Sequence, residues 1–213
     1  MPKPYFEKDN NAYLLEAGEL ILIDTGIDTP EAYETLQQSF SDHKYRFGDI
    51  SKILLTHKHL DHFGLTHRLL AQSEAEVFIH RDDRLDVTEF EERDELITSL
   101  YEKKLHEWGV PQQIVDMLSM RSLLLNLGRS IPVKPLDDGG VVHVGDSVIE
   151  VIHTPGHTQG SVCYRLGDSL FTGDPILPTY TPNIGATDVK SEKMLGKFRE
   201  SLLQMRDMDV ATD

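Results

Sequence analysis

Between residues 57 and 62 the chain sets three imidazoles and a carboxylate into six positions: His57, His59, Asp61 and His62. The residues just before, Ile50-Ser51-Lys52-Ile53-Leu54-Leu55, favour a strand, and those from Leu60 through Ala71 repeat with helical periodicity. The cluster therefore falls where a strand ends and a helix begins, the edge at which an open α/β sheet presents its ligands. Side chains at i, i+2, i+4 and i+5 of such a loop can turn towards one point. Histidine and carboxylate are the ligands of borderline divalent metals such as zinc. The competing reading, solvated loop polars that happen to be histidines, has to place four metal-type ligands in six positions by coincidence.

The rest of the chain reads as short strands and helices around that loop. Asn11 to Gly18 and Glu19 to Asp24 form two strands turning at Ala17-Gly18, the second built on Leu20-Ile21-Leu22-Ile23. It ends in Asp24-Thr25-Gly26, where Asp24 either closes a turn or accepts the outer N–H of a metal-bound imidazole. Thr29-Pro30-Glu31 opens a helix with a cap residue, proline and early acid, running to about Phe40. A helix over 60–73 and a strand over 76–80 follow the cluster. His67 and His80, met singly, read as surface or satisfied histidines.

Residues 82–127 are rich in charge, with Leu96, Ile97, Leu100, Leu105 and Trp108, then Ile114, Met117, Leu118 and Leu124, at helical spacing. Gly109-Val110-Pro111 divides them into two helices. The expectation is amphipathic packing against the main body; the sharper alternative is a helical insert over 82–130 that walls a substrate site. From Val133 the pattern returns to strands, at Val141–Val144, Ser147–Ile152, Ser161–Leu166 and Ser169–Thr172. Two joins carry further candidate ligands: His157, in Thr154-Pro155-Gly156-His157-Thr158, and Asp174, in Thr172-Gly173-Asp174. Cys163, inside a strand pattern, reads as a small buried hydrophobe. Ser191 to Met208 is a last helix.

Size and charge narrow the classes. A chain of 213 residues suffices for one domain with a sizeable core. A formal charge of −15 opposes non-specific binding to nucleic acid or to an anionic membrane. One cysteine forbids an internal disulfide, and neither an apolar leader nor a membrane-length apolar run is present in the sequence, so the expected location is the cytoplasm.

With His57-x-His59-x-Asp61-His62, His157 and Asp174 in that order after Asp24-Thr25-Gly26, the chain resembles the metallo-β-lactamase superfamily over about residues 11 to 185, in particular its glyoxalase II-like branch. The resemblance implies an α/β fold, the αββα sandwich, with two divalent metals at one edge, zinc foremost and iron or manganese as alternatives. It assigns His57, His59 and His157 to the first metal, Asp61 and His62 to the second, and Asp174 to both. Family members continue past the last helix into a strand and a loop whose histidine completes the second site. Here the chain ends where that strand would begin, so the second site is expected to be incomplete: either the chain is truncated, or the site is weak or mononuclear, or another group fills the gap. His43, His67, His80, His106, His143 and His153 stand in no matching context.

The activity implied is hydrolysis of an acyl thioester or related small ester of the hydroxyacylglutathione type. Metals activate water and polarise the carbonyl, Asp174 orients the attacking water, and Asp61 is the side chain expected to manage a proton. Tyr180, in the loop after Asp174, either packs within that loop or lines the acyl pocket. The alternatives are a metal-dependent endoribonuclease, a β-lactamase or lactonase, and a weakened form that keeps the fold without the chemistry. The expected partner is a small acyl substrate, with neither nucleic acid nor membrane.

Overall fold

The computed structural model describes residues 1–2, 9–117, 128–185 and 192–208. Five strands form one sheet in sequence order. They are β1 (Tyr13–Glu16), β2 (Leu20–Ile23), β3 (Ile50–Leu54), β4 (Glu76–His80) and β5 (Lys134–Leu136), with only the β1–β2 pair antiparallel. A second sheet, β6 (Val141–Val144), β7 (Ser147–His153), β8 (Val162–Leu166) and β9 (Ser169–Phe171), is an antiparallel meander.

Strand β2 shows why the sheets must stack. All four of its residues are buried, and successive side chains leave a strand on opposite faces. Leu20 and Leu22 pack with Ala32, Leu36 and Phe40 of α1 (Pro30–Asp42), whereas Ile21 and Ile23 join Val144, Ile149, Val151 and Tyr164 of the second sheet. A strand buried on both faces reads as an unbroken apolar run. Thr29 caps α1 as expected, its hydroxyl accepting from the Ala32 N–H.

The outer face of the second sheet is covered by α7 (Met194–Arg206). Met205 Sδ lies 3.4 Å from Cys163 Sγ, and the Ser201 hydroxyl donates to the Pro155 carbonyl at 2.8 Å. Layers of helix, sheet, sheet and helix are the expected αββα sandwich. Cys163 is the buried hydrophobe expected, its thiol pushed up to about 11 by burial. Where the sheets meet, the Tyr164 hydroxyl donates to the Leu55 carbonyl at 2.7 Å and the Val162 N–H to the Thr56 carbonyl at 3.0 Å. The loop after β3 is thereby tied to both sheets.

Three expectations differ from the structure. The single helix over 60–73 is two, α2 (Leu60–Phe63) and α3 (Thr66–Leu70). The Asp24-Thr25-Gly26 strand end takes the backbone groups a continuous helix would need. The His62 carbonyl accepts from the Thr25 N–H at 2.7 Å and hydroxyl at 3.0 Å, and the Leu65 N–H donates to the Gly26 carbonyl at 3.1 Å. Strand β5 was not among the expected strands; it is an edge strand paired to β4 alone, the position where a sheet tolerates the N–H that Pro135 lacks.

The third difference is in the charged stretch, which supplies α4 (Arg84–Thr88), α5 (Phe90–Glu107) and α6, described over 112–117. The break at Gly109-Val110-Pro111 stands; packing against the body is made by Val87 and Phe90, the latter edge-on to Phe63, and is not continued along α5. Among the described residues from 88 to 117 only Val115 is buried, and Trp108 and Met117 are 69% and 59% exposed. The uncharged stretch Leu96 to Tyr101 of α5 lies between two charged runs, Glu91 to Glu95 and Glu102 to Lys104, and of this helix Phe90 is the residue that meets the core. Leu118 and Leu124 lie outside the described residues.

Candidate metal centre

The end of β3, the start of α2, the β7–β8 loop and the turn after β9 converge on one edge of the sandwich. His59 Nδ1 stands 3.0 Å from His57 Nε2 and 2.8 Å from His157 Nε2. A second group, His57, His62 and Asp174, shares the His57 ring with these three. Asp174 faces both groups, with Oδ1 at 3.0 Å from His62 Nε2 and Oδ2 at 3.5 Å from His157 Nε2. Asp61 is less tightly drawn in, its Oδ2 being 3.8 Å from His62 Nε2. All six predicted ligands therefore meet, although they span positions 57 to 174 of the sequence.

Outer hydrogen bonds fix what each ring presents inward. Thr56 spends its hydroxyl proton on Asp24 Oδ2 at 2.7 Å, so it accepts from His57 Nδ1, 3.1 Å away. His62 Nδ1 donates to Asp24 Oδ2 at 2.7 Å, and His157 Nδ1 to the Asn183 carbonyl at 2.7 Å. With Nδ1 as donor in all three, each Nε2 is the atom left facing the cluster, the orientation a metal requires. Asp24 thus does both things foreseen for it: it occupies a left-handed turn at φ 56° and holds His62.

Electrostatics fit the same occupant. Burial, reinforced by the neighbouring imidazoles, holds His57 well below the ordinary histidine range and His59 at about 3; burial also lowers His157. These rings are neutral, as ligands are. Burial pulls His62 down too, but Asp24, Asp61 and Asp174 outweigh it and hold it well above its usual value. The carboxylates around His62 call for positive charge, which either a proton on His62 Nε2 or a cation bound in its place can supply, while the other rings offer lone pairs. A divalent cation satisfies both demands.

Several residues that matter here were missed in the sequence. Asn10 Nδ2 donates to the Asp61 carbonyl at 2.6 Å and lies 3.0 Å from His62 Nε2, bracing the Asp61-His62 pair. Thr56 and Asp83, both buried, serve the loops from behind. Only Asn10's place beside the β1 pattern hinted at this. Tyr180 is 49% exposed. His80, Asp82 and His153 form one further group of possible ligands. There His80 and His153 stack with ring centroids 4.0 Å apart and planes 13° apart, and His153 Nε2 is spent on the Gln159 carbonyl.

Gly173, just before Asp174, has φ 59°, and a Cβ there would stand 2.8 Å from Thr56 Cβ and Oγ1. Gly173→Ala is expected to cost about 2–4 kcal/mol from the left-handed backbone and the clash together, read as a lowered midpoint in urea.

The profile of the metallo-beta-lactamase superfamily matches residues 6–212. The chain belongs to this superfamily. It is 27% identical to the probable metallo-hydrolase YqjP of Bacillus subtilis, over 98% of this chain and 67% of that one. It is 28% identical to the acyl-coenzyme A thioesterase MBLAC2 of Bos taurus, over 81% of this chain and 61% of that one. Among solved structures, the metallo-beta-lactamase family protein TTHA1429 of Thermus thermophilus superposes with a TM-score of 0.76 at 30% identity, over 92% of this chain and 64% of that one. The chain thus spans about two thirds of the length of these relatives. Its fold and family are those of metal-dependent hydrolases.

Proposed function

We propose that this chain hydrolyses acyl thioesters with two divalent metals, zinc foremost, held by His57, His59 and His157 on one side and by Asp61 and His62 on the other. The observation that carries the two-metal reading is Asp174, whose two oxygens face one ring of each group. Ions bound there supply Lewis-acid polarisation of a carbonyl and a water of near-neutral pKa. The chain's own part is to hold the donors. Asp24, Thr56 and the Asn183 carbonyl fix the tautomers, Asp174 spans the groups, and Asp61, anchored by Asn10, is the carboxylate placed to take up a proton. Exposed Tyr180 lines the approach of the acyl group.

Thioesters are the substrate class favoured by relatives, since MBLAC2 carries the name of an acyl-coenzyme A thioesterase. The hydroxyacylglutathione type rests on the motif resemblance to the glyoxalase II-like branch. The formal charge of −15 weighs against RNA.

The experiment is a panel of glutathione and coenzyme A thioesters followed by thiol release, run beside a labelled RNA, with metal content measured on protein purified without chelators. Turnover of a thioester, lost on chelation and restored by zinc, with close to two metals per chain, is the expected result, a further group then completing the ligands that Asp61, His62 and Asp174 begin. RNA cleavage without thioester turnover overturns it.

A further inference from the structure

The three rings of the first group come from loops on different sheets, and one buried carboxylate joins those loops. Asp83, at the head of α4, is fully buried. Its Oδ2 accepts from the Lys58 N–H at 3.1 Å and from the Thr158 hydroxyl at 2.6 Å, while Oδ1 accepts from the Gly160 N–H at 2.9 Å. Lys58 is the residue between His57 and His59, and Thr158 follows His157 directly. Asp83 therefore grips each ligand loop one residue away from its imidazoles.

The grip has little play. A Cβ on Gly160 would stand 2.6 Å from Asp83 Cγ, so the loop reaches the carboxylate only as glycine. Thr158 is braced in turn, its N–H donating to Ser161 Oγ at 3.0 Å. The Lys58 ammonium pairs with Asp86 at 2.9 Å. A buried carboxylate with fixed donors constrains direction as well as distance, which an apolar contact does not.

We propose that Asp83 is the positioning residue of the His57, His59 and His157 triad. It sets the separation and orientation of the two loops and thereby the affinity and coordination geometry of that site for a divalent metal. The proposal rests on the reading that the triad holds a metal. Outer hydrogen-bond partners of metal ligands typically alter affinity 10–100-fold, and Asp83 acts on both loops at once.

The test is a cobalt(II) titration of metal-free protein against a competing chelator, in Asp61→Ala protein so that the triad is the competent site. Adding Asp83→Asn, which keeps the shape but withdraws an acceptor, is expected to weaken cobalt binding by about 10–100-fold and to shift the visible d–d absorption. Thr158→Val keeps the carboxylate, removes one donor and guards against a folding failure of the first variant. It is expected to move affinity and spectrum the same way by less. Affinity and spectrum unchanged in both variants overturn the proposal and leave Asp83 a strut of the fold. If Asp61→Ala protein with Asp83 intact binds no cobalt, the metal reading itself falls, and the proposal with it.

Discussion

His157→Ala is expected to lower thioester turnover by more than about 100-fold, because losing even an outer partner of a metal ligand costs 10–100-fold. His157 reaches the cluster from the second sheet, with Nε2 against both His59 and Asp174. Alanine there leaves the first group two imidazoles from a single loop, too few for a stable divalent site. The loss should fall on kcat and on metal content together, with the count dropping from near two per chain to one or fewer. The fold should persist, since the β7–β8 loop is also held by Asp83 and by Ser201. Steady-state kinetics with elemental analysis of the same preparation checks this. Turnover within tenfold of the parent at unchanged metal content would move the chemistry away from this edge of the sandwich.

Asp24→Ala carries the largest expected loss of stability. The carboxylate is buried and accepts from the Thr56 N–H at 2.8 Å, the Thr56 hydroxyl at 2.7 Å and His62 Nδ1 at 2.7 Å. Removing it strands three buried donors and leaves His62 without its nearest counter-charge. Breaking a buried pair in this way costs about 3–5 kcal/mol. For a domain of this size that corresponds to a fall of roughly 10 °C in melting temperature. Alanine also fits poorly at φ 56°, whereas asparagine tolerates that region. Asp24→Asn should therefore fall between parent and alanine variant. Thermal and urea unfolding of metal-free protein measures both. Equal midpoints for all three would show that Thr56 and His62 find other acceptors.

Much of this was legible in the sequence because the signals are local. The strand-to-helix setting of His57 to His62 needs only an apolar run before and a periodic run after. The Thr29-Pro30-Glu31 start of α1 is a cap read from three residues. The break of the helix after the cluster was not legible, because Thr25 and Gly26 take the backbone partners of His62 and Leu65 from 37 and 39 residues upstream. Asn10 and Asp83 were hidden for the same reason: each is an ordinary polar residue until folding brings a ligand loop against it. On α5 helical spacing was visible, but whether another element would cover its apolar positions was not.

The sequence by itself determined the donor set, its order and the strand ends that carry it, since residue type decides what can bind a metal and period decides where strands stop. Tertiary structure alone decided which nitrogen of each ring faces inward, how Asp174 comes to span two groups, and which carboxylate holds the two loops in register. Those are matters of distance and hydrogen-bond direction between segments far apart in the chain, and no local pattern encodes them.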